Sequence, residues 1–282
     1  METLPPRPRV WVTGTAGLIG HQVALAAAKY APQFKIVPLT RALLDLTDFA
    51  GVERKYQADH PVCVIHCAAI SRPVDCQANP DASWKVNVEA TAHLAGLSAD
   101  ARMIFFSSDL VFDGKRPFAT ESDTPNPLHI YGENKLAAEL LVLKYPRHAV
   151  VRTSLNSGVS PSGSRSFNEE MALAWRAGRS VKLFVDEFRC PIPSAVTARA
   201  VWELVLRDCS GLFHLAGSER LSRAQIGRVV AAKYPELATR IEEASRLDFQ
   251  GPPRAADVSL DCSKVQRLLS FPLPAFSRLD YL

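Results

Sequence analysis

The chain has 282 residues, enough for one large domain or a domain with a smaller lobe, and its 47% hydrophobic and 22% charged content is that of an ordinary water-soluble globule. A net charge of +4, from 33 basic and 29 acidic residues with no run of one sign, points to neither a nucleic-acid partner nor a membrane surface. The short proline-rich start, residues 1–9, carries no apolar signal core and no later stretch reaches bilayer-spanning length, so the expected location is the cytoplasm.

In chain order, strands are predicted at residues 10–13, 35–39, 62–67, 103–107 and 149–152, separated by helices at 18–30, 48–58, 82–97 and 134–144. The strand runs are apolar on both faces, as a parallel sheet covered by helices requires. Repeated β–α units of this size predict an α/β fold with a doubly wound parallel Rossmann sheet over residues 1–153. Beyond it, the Ser/Gly/Pro-rich stretch 154–166 reads as a loop bordering a cleft. Helices at 168–177, 195–207 and 223–233 and strands at 181–184 and 212–215 then suggest a smaller substrate-binding lobe within 154–282, interleaved with the last core strands.

The first strand–helix junction reads Thr13-Gly14-Thr15-Ala16-Gly17-Leu18-Ile19-Gly20. Glycines there let the backbone turn tightly and let phosphate oxygens approach main-chain N–H groups at a helix start. The spacing is GxxGxxG, and its position at the first β–α junction favours dinucleotide binding over plain turn chemistry. The second strand ends without the acid that would bond a ribose 2′-hydroxyl. Thr40 and Arg41 stand there instead, suited to a 2′-phosphate, so NADP(H) is expected over NAD(H).

Tyr131 and Lys135, four apart at the entrance of the helix after the fourth strand, share one helix face. An ammonium beside a phenol lowers its pKa from about 10, which would let Tyr131 exchange a proton with a carbonyl or alcohol oxygen. Ser107 and Ser108 end the fourth strand at the edge that lines the crevice in doubly wound folds. Six cysteines are scattered without a CxxC pair. Cys63 and Cys67 share a strand with His66, but buried thiols in a reducing compartment explain them without a metal.

Taken together these residues resemble the extended short-chain dehydrogenase/reductase family, in its dTDP-4-dehydrorhamnose reductase-like branch. The matching pieces run nearly the full length: TGTAGLIG at 13–20, DLTD at 45–48, VIHCAAISRPVDC at 64–76, NVEAT at 87–91, FFSSDLVFDG at 105–114 and PNPLHIYGENKLAAE at 125–139. Weaker echoes follow at 151–154, 211–218 and 254–265. The resemblance implies Ser108, Tyr131 and Lys135 as catalytic residues. It implies cofactor contacts from Gly14, Ala16, Gly17, Leu18, Ile19, Gly20, Thr40, Arg41, Asp45, Leu46, Cys67, Ala68, Ala69, Asn87 and Ser107, and again from Tyr131 and Lys135. Asp45 would lie near the adenine. The implied reaction is reduction of a keto group of a nucleotide-linked sugar.

Two departures fall where a substrate is chosen: Leu110 and Leu155 stand where the family often has aromatics. No metal ligands are assigned; Asp186 and Glu187 are read as surface carboxylates. Three functions stay open: reduction of a nucleotide-linked or related keto sugar, the same chemistry on another small carbonyl or alcohol (including epimerase-type turnover), and a partner role resembling the regulatory subunit of methionine adenosyltransferase. Helices on the sheet's flank leave a homodimer open.

Overall fold

The computed structural model describes residues 7–278; residues 1–6 of the proline-rich start lie outside them. The sheet strands are β1 (Arg9–Thr13), β2 (Lys35–Leu39), β3 (Cys63–His66), β4 (Arg102–Ser108), β5 (Ala149–Thr153) and β10 (Gly211–Leu215). They form one parallel sheet in the order β2-β1-β3-β4-β5-β10, so the winding reverses at β1. Crossovers fold to opposite faces on the two sides of that point, which opens a crevice at the carboxyl ends of β1 and β3.

Alternation along the strands divides the core. Val10, Val12, Ile65, Ile104 and Val151 face α1 (Leu18–Tyr30) and α8 (Ser194–Leu206), where Trp202 is fully buried. Trp11, Val64, Met103, Phe105 and Val150 face the other layer, α2 (Phe49–Asp59), α5 (Ala90–Leu97) and α6 (Ile130–Val142). Both faces are apolar because both are covered. Strand β10 and helix α8 therefore complete the core; the sequence pattern had suggested them as part of the lobe. Gly211–Leu215 pairs along its whole length with Ala149–Thr153, which fixes it as the sixth strand.

The helix expected at 82–97 begins earlier and is broken. Short α3 (Pro73–Ala78) leads to α4 (Pro80–Trp84), whose start is set by proline in the first turn and by Asn79 accepting from the Ala82 N–H at 3.1 Å. A π-turn, Lys85–Glu89, then joins it to α5. Helix α6 likewise starts before its expected position because His129 Nδ1 accepts from the Gly132 N–H at 3.1 Å, which puts Tyr131 in the first turn.

The lobe comprises β6 (Asn156–Ser157), α7 (Phe167–Arg176), β7 (Val181–Phe184), β8 (Phe188–Arg189), β9 (Ile192–Pro193), β11 (Leu221–Ser222), α9 (Arg223–Ala231) and β12 (Ile241–Ala244), while α10 (Ser263–Gln266) returns to the sheet and buries Val265 in the core beside β10. The lobe's own core gathers Phe167, Met171, Trp175, Leu183, Ile226 and Phe276. The helices α7 and α9 both begin with complete capping boxes, at Ser166/Glu169 and Ser222/Gln225.

Candidate active site

A cavity of about 630 Å³ runs from the first glycine turn, past the ends of β3 and β4, to the lobe. Gly14, Ala16, Gly17, Leu18, Ile19 and Gly20 line its start. Gly14 has φ +71°, and a Cβ there would lie 2.7 Å from the Ala68 nitrogen; at Gly20 it would lie 2.5 Å from the Gly14 carbonyl oxygen. Helix α1 opens on Gly17 with no side-chain cap and no acid in its first turn. The buried Thr15 hydroxyl has no hydrogen-bond partner among the described residues. Free N–H groups, an orphaned hydroxyl and the positive end of a helix dipole fit a phosphate group.

Past β2, Thr40, Arg41, Asp45 and Leu46 also line the cavity. The Arg41 side chain is 86% exposed and holds Asp45 through Nε at 3.3 Å. Thr47 donates to the same carboxylate from its backbone and hydroxyl, and these bonds lower the Asp45 pKa. At the end of β3, Cys67, Ala68 and Ala69 line the wall. Thr13 Oγ1 accepts from the Cys67 and Ala68 N–H groups at 3.2 Å each and bonds His66 Nδ1 at 2.7 Å. His66 Nε2 bonds the Thr91 hydroxyl, and burial pushes the imidazole down to about 3. Both ring nitrogens are thus engaged by hydroxyls, and burial pushes the Cys63 thiol up to about 12; neither group is prepared for a metal.

Asn87 is not on the cavity wall. It is buried in the π-turn, where Oδ1 accepts from the Ile70 N–H at 2.8 Å and Nδ2 donates to the Ile70 carbonyl at 3.0 Å. These two bonds tie it to the loop after β3.

The residues expected to do chemistry converge beside the ends of β4 and α6. Ser108, Tyr131 and Lys135 all line the cavity and are all buried. Ser108 Oγ donates to Asp109 Oδ1 at 3.1 Å and accepts from the Leu110 N–H at 3.1 Å. The Ser107 hydroxyl donates to Glu139, which also receives Arg152 Nη2 at 2.7 Å in a fully buried pair. Both serines line the cavity, but the Ser107 hydroxyl is committed to Glu139.

The electrostatics differ from the sequence expectation. Burial raises the Tyr131 phenol above its ordinary value, opposed by a hydrogen bond with Ser108. Lys135 Nζ donates to the Phe106 carbonyl at 2.7 Å and lies 4.4 Å from the Phe105 ring centroid. Burial brings this lysine down to about 8, resisted by the Glu139 carboxylate. Desolvation outweighs charge pairing at the tyrosine, so the phenol stays protonated, the state a proton donor needs.

Leu110 and Leu155 line the cavity beside Phe167 and Phe249. Glu187, expected at the surface, is buried: Arg254 holds its carboxylate through Nε and Nη2, and Arg189 Nη1 lies 3.9 Å away. Asp186 accepts from the Ser245 hydroxyl and the Arg246 N–H. Arg189 in turn forks onto Asp109 at 2.7 and 2.5 Å. Arg189 lies 80 positions from Asp109 and Arg254 lies 67 positions from Glu187, so no local spacing announces these two pairs. His129 was also missed, because histidine is not among the residues whose presence before a helix signals a cap.

A doubly wound sheet with a glycine turn at its switch point and a Ser/Tyr/Lys set at the crevice defines a protein of the extended short-chain dehydrogenase/reductase class. Within it, the chain belongs to the family described as the RmlD substrate binding domain, whose model matches residues 8–279. Methionine adenosyltransferase 2 subunit beta of Bos taurus is 28% identical over 289 residues, covering 93% of this chain and 83% of the relative. A dTDP-4-dehydrorhamnose reductase of Sinorhizobium fredii is 28% identical over 282 residues, covering 94% and 93%. The crystal structure of dTDP-4-dehydrorhamnose reductase from Bacillus anthracis in complex with NADP superposes with TM-score 0.88 at 23% identity over 96% of each chain. A hypothetical dTDP-4-dehydrorhamnose reductase from Sulfolobus tokodaii gives 0.84 at 26% identity, over 94% and 96%.

Proposed function

We propose that the chain is an NADP(H)-dependent reductase of a keto group on a nucleotide-linked sugar or a related small molecule, working in the cytoplasm, where its six free thiols would stay reduced. The observation that carries this reading is the convergence of Ser108, Tyr131 and Lys135 on one crevice with the glycine turn. The dTDP-4-dehydrorhamnose reductase relative and the NADP-bound structure of similar fold support it.

The cofactor would supply hydride. Gly14, Gly17 and Gly20, with the first turn of α1 and Thr15, would hold its diphosphate; Arg41 and Thr40 would hold a 2′-phosphate. Ser108 bonds the carbonyl oxygen of the substrate and polarises it. Tyr131, kept protonated by burial, delivers its proton to that oxygen as charge develops there. Lys135, anchored on the Phe106 carbonyl, places a positive charge beside the crevice and would bond the ribose next to the nicotinamide. Residues 154–282 would supply most of the substrate wall.

An NADPH-oxidation screen over sugar nucleotides, keto sugars and simple ketones tests this. Turnover on at least one class is expected; no turnover on any, with NADPH bound, contradicts it. The second reading is a partner subunit, favoured by relatives named methionine adenosyltransferase 2 subunit beta. Recovery of a stoichiometric partner by pull-down, without NADPH oxidation, would establish it. The retained Ser/Tyr/Lys set speaks for the enzyme, since a binding module has no need of a proton donor.

A further inference from the structure

Two serines end β4, and each meets a carboxylate that an arginine holds. Ser107 meets Glu139, paired with Arg152; Ser108 meets Asp109, paired with Arg189. All four charged side chains are buried. A buried ion pair returns little more than its desolvation costs, so two such pairs at one strand end point to a positional use rather than to stability. They differ in which carboxylate oxygen the guanidinium covers. At Glu139 the shortest contact, Arg152 Nη2 at 2.7 Å, goes to Oε2. Oε1, which takes the Ser107 hydroxyl, receives only the Arg152 Nε–H at 3.0 Å, shared with Oε2. At Asp109 the order is reversed. Arg189 Nη2 lies 2.5 Å from Oδ1, the oxygen that faces Ser108, and Nε takes Oδ2 at 2.7 Å.

The Ser108 contact with that covered oxygen is 3.1 Å, longer than the roughly 2.5–2.7 Å of a hydroxyl on a carboxylate whose charge is free. A hydroxyl has a single proton. The Leu110 N–H already occupies a lone pair of Ser108 Oγ at 3.1 Å, so that proton is what the serine can offer to a substrate oxygen. A bare carboxylate one residue away would hold it firmly. Ser108 and Arg189 line the cavity, while Asp109 is fully buried. Arg189 comes from β8 in the lobe, 80 positions along the chain from Asp109. The fork therefore links the strength of the competing acceptor to the seating of the lobe.

We propose that Arg189 is a positioning residue for the carbonyl reduction: by covering Asp109 Oδ1 it weakens the carboxylate's hold on the Ser108 hydroxyl and frees that proton to turn to the substrate oxygen. This rests on the reductase reading above and adds to it a residue that acts through Ser108 without touching the reacting atoms. It also makes the lobe part of the proton-handling apparatus, since Ser108 is poised when β8 lies against the turn after β4.

Two comparisons test it, both built on Ser108→Ala and Arg189→Met, singly and together. The first needs no substrate. The Asp109 carboxyl carbon is followed by NMR in protein carrying isotope-labelled aspartate, its resonance identified by its loss in Asp109→Asn. Ser108→Ala is expected to displace that resonance further in the Arg189→Met background than in the wild-type background, because an uncovered carboxylate binds the serine proton more tightly. The second is kcat for NADPH oxidation on the carbonyl compound that responds in the screen, counted per NADPH-binding site so that misfolded protein does not enter. Arg189→Met should lower kcat roughly ten- to a hundredfold with KM within about threefold, and lower it less than about twofold once Ser108 is alanine. Arg189→Lys keeps a cation beside Asp109 and serves where the methionine variant does not fold; it should lose less than about fivefold, again only with Ser108 present. Equal displacements of the resonance in the two backgrounds, or equal kcat losses with and without Ser108, would make Arg189 a structural cross-link and overturn the proposal. Wild-type turnover with either of those results sinks the positioning role alone. NADPH binding with no turnover of any carbonyl compound sinks the reductase reading and the positioning role with it.

Discussion

Lys135 Nζ lies 2.7 Å from the carbonyl oxygen of Phe106, so the ammonium is fastened to β4 just before the strand presents Ser108. Its position is set by backbone geometry, independent of the phenol four residues earlier on α6. Burial holds it at about 8 against an ordinary 10.5. Activity is therefore expected to fall as pH rises through about 8, seen in kcat/KM for NADPH, which reports the free enzyme. A flat profile to pH 10 would contradict this.

The same lysine sets a stability window. Below pH 8 both folded and unfolded chains hold the proton, and the cost of the buried charge is fully present. From about 8 to 10.5 the folded state releases it first, the unfolded chain binds more protons, and stability rises with pH by up to about 3 kcal/mol relative to a Lys135→Met variant. Urea unfolding of both proteins at pH 7 and 10 measures this; parallel behaviour would contradict it.

The proposed role of Arg41 is to receive the 2′-phosphate. Among the described residues its guanidinium is tied only through Nε, to Asp45, and it lines the cavity. Arg41→Ala is expected to weaken NADPH roughly ten- to a hundredfold and leave NADH nearly unchanged, by fluorescence titration. Stability changes by less than about 1 kcal/mol, because the pair it loses is exposed. Equal losses for both dinucleotides would refute the 2′-phosphate assignment.

Behind the crevice, Glu139 and Arg152 are a buried fork with Ser107 as third member. Glu139→Ala strands the Arg152 charge and is expected to cost about 3–5 kcal/mol in urea unfolding, while joint replacement by leucines costs less. A single-variant loss below about 1 kcal/mol would show that the network is not closed.

Much of this was legible in sequence where the cause is local. The glycine turn, the five leading strands and the Tyr131/Lys135 spacing follow from periodicity and chain order, and the structure brings Ser108 to the same crevice. Helix 82–97 was misread because its break serves a tertiary contact: the π-turn aims Asn87 at Ile70, which no periodicity encodes. The strand at 212–215 was legible, but its place as the sixth strand was not, because a short apolar run shows no partner until it pairs with β5. Glu187 was misread because the cation that holds it, Arg254, comes from 67 positions further along the chain. The phenol's acidity was misjudged for a related reason: spacing shows an ammonium nearby but says nothing of how dry the site is.

The glycine turn leaves no slack. Gly20→Ala would set a Cβ 2.5 Å from the Gly14 carbonyl, backbone against backbone. The expected result is a loss of about 1–3 kcal/mol and weakened NADPH binding together, by melting and titration. Unchanged binding would mean that the turn is not the cradle.

The claim beneath all of these is that Tyr131 is the proton donor beside a bound nicotinamide. Tyr131→Phe, assayed for NADPH oxidation on the responding substrate and for NADPH affinity by titration, tests it most directly. Turnover should drop by roughly a hundredfold to ten-thousandfold, with NADPH affinity within about twofold of wild type, since the ring stays in place and only the hydroxyl is lost. Turnover at the wild-type level would show that another acid delivers the proton.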